Sequence, residues 1–86
     1  MLARAGGGDA PTQQEIVRAL GQADIVRQDG VGVTMTYRLD SCALLLLFSA
    51  DSRNTMRLAE AHAGVRSGNG AAPSLDQCAA EAAARR

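Results

Sequence analysis

The sequence predicts an α+β domain, a four-stranded antiparallel meander with an N-terminal and a C-terminal helix packed on it. Three observations carry that prediction. Residues 42 to 48, Cys-Ala-Leu-Leu-Leu-Leu-Phe, form the most apolar run in the chain, too short to cross a membrane and bulky enough for a buried strand. Residues 31 to 39 alternate apolar and small or polar side chains with period two, the pattern of a strand with one buried face. At the two ends, Thr12 with Glu15 and Ser74 with Gln77 stand at the spacing of a capping box, which marks the start of a helix.

In chain order, residues 1 to 10 carry Ala5-Gly6-Gly7-Gly8-Asp9-Ala10, which offers little to bury and much backbone entropy to lose; a flexible tether is expected. The single domain then spans residues 11 to 86. Its first helix places Gln13, Ile16, Val17 and Leu20 on one stripe and ends at Gly21. A short strand from Ile25 to Gln28 leads into Asp29-Gly30, a two-residue hairpin signal in which both positions take positive φ.

The return strand alternates Val31, Val33, Met35, Tyr37 and Leu39 with Gly32, Thr34, Thr36 and Arg38. Residues 39 to 41 turn it into the Leu-rich strand. Leu44, Leu46 and Phe48 there point to one face and Leu45 and Leu47 to the other, so a cover is expected on both. After a turn at residues 50 to 54, residues 55 to 63 suit a helix as well as a strand; a fourth strand is expected because it gives the Leu-rich strand two neighbours. A Gly, Asn and Ser loop is expected from Val65 to Pro73. The closing helix runs to Arg85 and Arg86, with Leu75, Cys78, Ala79 and Ala82 on its inner stripe.

Composition narrows the function. Nine arginines, with no lysine, balance nine acidic residues, so no net field steers the chain onto nucleic acid or an anionic membrane. No window reaches the roughly 18 apolar residues of a transmembrane helix, and the first eight residues lack the apolar middle of a signal peptide. The chain as written is thus expected in the cytoplasm unless a leader has been removed. With one Phe, one Tyr and no Trp, the core falls to aliphatic residues, and so light a core gains from a staple.

Cys42 opens the central strand and Cys78 lies on the inner stripe of the last helix, so packing that helix over the sheet brings the sulfurs within reach of each other. Such a disulfide implies an oxidising compartment; two buried free thiols in a cytosolic protein are the alternative. The C-x-x-C spacing of a redox pair is absent. His62 is the single histidine, and no paired ligand spacing joins it to Cys42 and Cys78 in a zinc site, so no metal or other cofactor is expected. Asp29, Asp40, Asp51 and Asp76 fall in expected turns and caps, and the glycines at 30 and 32 precede no helix, so no catalytic residue is assigned and no enzyme is expected. Tyr37 and Arg38 are the candidate partner contacts, because Tyr and Arg are enriched among binding hot spots; core packing is the competing use of Tyr37.

Residues 12 to 24, Thr-Gln-Gln-Glu-Ile-Val-Arg-Ala-Leu-Gly-Gln-Ala-Asp, followed after Gly30 by Met35-Thr36-Tyr37-Arg38, resemble small bacterial envelope proteins of the SmpA/OmlA outer-membrane-assembly lipoprotein type. Short two-cysteine periplasmic proteins, with one Cys opening the Leu-rich strand and another in the closing helix, look more similar still. The resemblance covers residues 12 to 80. It departs from the pattern at Ala23, where Pro is common, at Met35, where Trp is common, and in having no lipid-bearing Cys ahead of the Gly-rich stretch. It implies a non-catalytic protein-interaction or accessory-subunit domain in the periplasm or cell envelope, docked on a larger assembly.

Overall fold

The computed structural model describes residues 2 to 65 and 73 to 85. Its elements, in order, are a 3-10 turn over Leu2–Arg4, helix α1 (Gln13–Leu20), strands β1 (Ile25–Asp29), β2 (Gly32–Arg38), β3 (Cys42–Ala50) and β4 (Met56–Val65), and helix α2 (Leu75–Arg85). The strands form one antiparallel sheet in the order β1-β2-β3-β4, the expected meander between two helices. The segment that suited either a helix or a strand is β4. The loop expected from Val65 to Pro73 lies, apart from its ends, outside the described residues.

Both helices start as the sequence requires. Thr12 Oγ1 accepts from the Glu15 N–H at 3.1 Å while Glu15 Oε1 accepts from the Thr12 N–H at 2.8 Å, and Ser74 and Gln77 repeat the exchange at 3.1 and 2.8 Å. Gly21 closes α1 at φ 84°, its N–H donating to the Val17 carbonyl at 2.8 Å.

The first hairpin turns one residue later than expected. Asp29 pairs with Gly32, so the loop is Gly30-Val31, and only Gly30, at φ 60°, has positive φ. That is the pattern of a type II′ turn, which needs glycine at its first central position only. Val31 therefore leaves the strand for the hairpin tip, 86% exposed.

Register sorts the sheet into two unlike faces. Met35 lies opposite Leu46, Tyr37 opposite Leu44 and Leu58 opposite Phe48, and all six are buried with Cys42. The helical layer sits on this face. Ile16 and Leu20 of α1 and Cys78 and Ala82 of α2 are buried in the same cluster, and α2 packs against α1, β3 and β4. The other face carries Leu45 and Leu47, which are half-buried, and no helix lies over them among the described residues. The expectation of a cover on both faces is corrected: the cross-strand neighbours of these leucines are Thr34, Thr36, Glu60 and His62, not large apolar groups, and both helices are committed to the opposite side.

The opening segment is corrected as well. Residues 2 to 10, expected as part of a flexible tether, are stitched to β4. Leu2 is 2% exposed, the Gly6 N–H donates to the Leu58 carbonyl at 3.0 Å, the Leu58 N–H donates to the Pro11 carbonyl at 2.9 Å, and Arg57 Nη1 donates to the Ala10 carbonyl at 2.8 Å. One leucine and a row of backbone groups on an otherwise open strand edge offset the entropy cost of the glycines. Gly6, at φ 83°, takes a conformation that side chains rarely adopt.

Candidate functional site

The cysteines meet. Cys42, at the start of β3, and Cys78, in the second turn of α2, form a disulfide with their Cα atoms 5.8 Å apart, and no free cysteine remains among the described residues. The bond pins α2 across the covered face. Further along the helix, Glu81 accepts from the Ser41 N–H at 3.3 Å and from its hydroxyl at 3.0 Å, tying α2 to the turn before β3.

Tyr37 goes to the core. It is 0% exposed, and its hydroxyl donates to the Gly21 carbonyl at 2.7 Å, so it joins β2 to the end of α1. Burial raises the pKa of its hydroxyl above the ordinary phenol value. As folded it has no surface to offer, and its candidacy as a partner contact is corrected: the same period-two alternation that makes β2 a strand puts Tyr37 with Met35 on the covered face.

The Arg85 guanidinium lies 5.8 Å from the Tyr37 ring centroid and closes the rim, donating to Asp24 Oδ2 at 2.9 Å and to the Arg38 carbonyl at 3.2 Å. Asp24 Oδ2 also accepts from the Arg38 N–H at 2.6 Å; that bond, then the one from Arg85, lowers the Asp24 pKa. Arg38 is thus held by its backbone while its side chain is exposed on the open face.

His62 lies on β4 on the open face, exposed, with Nε2 3.1 Å from Glu60 Oε1. Cys42 faces the other way and is bonded to Cys78, so the three residues weighed as zinc ligands are not brought together. Among the described residues no cluster of His, Cys, Asp or Glu is arranged to hold a metal ion, and no charged side chain is fully buried. A shallow groove runs along α1 between Gln13, Gln14, Val17, Arg18 and Gln22.

The feature with a chemistry of its own is the open face. Pairing lays Arg27, Thr34, Leu47 and Glu60 in one row across the four strands, and Ile25, Thr36, Leu45 and His62 in the next. An aliphatic and hydroxyl centre is flanked by Arg27 on the β1 side and by Glu60 and His62 on the β4 side. The Arg27 side chain is exposed and makes no ion pair among the described residues. Sequence reading missed Arg27 and Glu60 because they are 33 positions apart and become ends of one row only through the register. One signal was available: Thr34 and Thr36, opposite Leu47 and Leu45, mark the side of the sheet that has no helix.

The fold thus defines a class, a small α+β domain with one face of its meander roofed by two helices and the other open. Compared with known proteins, the chain matches no known family, no curated sequence and no solved structure.

Proposed function

We propose that this chain is a non-catalytic interaction domain, an accessory subunit of a cell-envelope assembly, stapled in an oxidising compartment and presenting its open sheet face to a protein partner. The observation that carries the reading is the Cys42–Cys78 bond between the central strand and the closing helix. The bond joins residues 36 positions apart, and in chain-entropy terms closing a loop of that length contributes roughly 3 to 4 kcal/mol, a large share of the stability of so small a core. Buried thiols in a reducing compartment would leave that contribution unused.

The open face supports the interaction half of the reading. Its centre is apolar, its rim is charged, and Arg38 stands exposed beside it, the arrangement of a protein contact more than of a substrate pocket. Among the described residues no helix is long and apolar enough to cross a membrane, so envelope attachment would come through a partner or through residues beyond those described. The resemblance of residues 12 to 24 and 35 to 38 to envelope lipoproteins of the SmpA/OmlA type points to the same compartment.

Intact mass and thiol alkylation of protein recovered from its native compartment test the proposal. The expected result is a mass two protons below the reduced chain and alkylation only after reduction. Full alkylation of the unfolded protein without a reductant would instead place it, with reduced cysteines, among cytosolic regulatory or subunit domains.

A further inference from the structure

The open face complements itself. Along the row Arg27, Thr34, Leu47, Glu60 a cation stands at the β1 end, an anion at the β4 end, and a leucine beside a threonine in the middle. Consider a two-fold axis lying in the interface, parallel to the strands and passing between β2 and β3. It lays each row over the same row of a second molecule in reverse order.

Arg27 of either copy then faces Glu60 of the other, so two ion pairs form per dimer. Leu47 lies over Thr34 and Leu45 over Thr36, large side chain over small. The strands of the two sheets stay within about 30° of one another, as twisted sheets do when they pack face to face. Among the described residues the Arg27 side chain has no partner, and Glu60 meets the exposed His62 at 3.1 Å. From this complementarity we infer that the occupant of the open face is a second copy of this chain, joined as an isologous two-sheet sandwich.

Opposite charges at the two ends of one row favour this occupant over a lipid surface or a nucleic acid, either of which would call for a single sign. The zero net charge of the chain sets no long-range repulsion between copies. Four strands about 4.8 Å apart and about seven residues long give a plan area of roughly 450 Å² per copy. The total is at the small end of specific interfaces, and the expected dissociation constant is about 10 to 100 μM. The inference rests on reading this face as an interaction surface, but not on the compartment.

Sedimentation velocity on the purified, oxidised full chain, from about 1 μM to about 1 mM, spans the affinity expected of so small an interface. The mass should rise with concentration from 8.9 kDa towards twice that value. Arg27→Glu and Glu60→Arg should each weaken association by at least about ten-fold at low salt. An equimolar mixture of the two variants should recover it, because like charges that oppose each other within either variant's own dimer become opposite charges in the mixed one. Recovery by mixing requires both variants to be folded, so misfolding cannot imitate it.

A single-chain mass at every concentration overturns the inference, whatever other protein or lipid the face then takes up. So does a dimer that neither charge reversal nor Leu47→Asp disturbs. A monomer found oxidised in the envelope would overturn self-association and leave the proposed function standing; a charge-dependent dimer with free thiols in its native compartment would do the reverse.

Discussion

Leu46 and Leu47 are neighbours in one strand, identical in chemistry and opposite in fate. Leu46 meets Met35 beneath the helical layer and is fully buried; Leu47 meets Thr34 on the open face and is only half-buried. What separates them is parity and the company each keeps. A strand shows its two sides alternately, and the side that acquires a roof is the one whose cross-strand partners are also large and apolar. The covered face owes its stability to burial and to a covalent pin, whereas the open face leaves its two leucines half-exposed.

The largest effect that would break this contrast is loss of the pin. Replacing both cysteines, as Cys42→Ala with Cys78→Ala, should cost roughly 3 to 4 kcal/mol in denaturant unfolding at neutral pH. A loss below about 1 kcal/mol would mean that α2 holds its place without the bond. Next comes the apolar end of the opening segment. Leu2→Ala should cost about 2 kcal/mol, since it empties a buried site. An unchanged midpoint would return residues 2 to 10 to the role of a tether.

Tyr37→Phe should cost about 1 kcal/mol, the net value of one neutral hydrogen bond, here the one donated to the Gly21 carbonyl. A stability gain in that variant would contradict the join between β2 and the end of α1.

Acid should loosen the rim of the covered face gradually. The Asp51 pKa is lowered to about 2, first by the Thr55 N–H, then by the Arg57 side chain and the Arg53 N–H. A carboxyl with a depressed folded pKa stabilises the protein fully above the ordinary Asp value, and that stabilisation drains away as the pH falls towards the folded value. Asp24, bonded to Arg38 and Arg85, and Glu15, bonded to Thr12, are lowered too and act in the same direction. The urea midpoint should therefore fall as the pH is taken below the ordinary carboxylate range, and less steeply in Asp51→Asn. Identical acid profiles for the two proteins would remove Asp51 from the account.

Most of the covered face was legible in the sequence, because its signals are local or come in pairs. The period-two run of residues 31 to 39 places Met35 and Tyr37 together, the capping boxes set both helix starts, and Cys42 and Cys78 each lie where a roof helix meets a central strand. The open face was not legible, because the Leu-rich run looks the same from either side and the row from Arg27 to Glu60 exists only once three strand pairings are fixed. The opening segment was misread for a related reason. Glycine-rich sequence reports its entropy cost, while the backbone groups waiting on the edge of β4 leave no mark in it. The hairpin slipped by one residue because Asp29-Gly30 satisfies a type I′ turn as well as Gly30-Val31 satisfies a type II′ turn.

The contrast between the two leucines is tested most directly by unfolding Leu46→Ala and Leu47→Ala side by side in urea, oxidised and dilute enough to be monomeric. Leu46→Ala should lose about 2 to 5 kcal/mol and Leu47→Ala less than about 1 kcal/mol, because only the first leaves a cavity in a sealed layer. Equal losses at the two positions would mean that both faces of the sheet are covered, and the open face would have no place in the account.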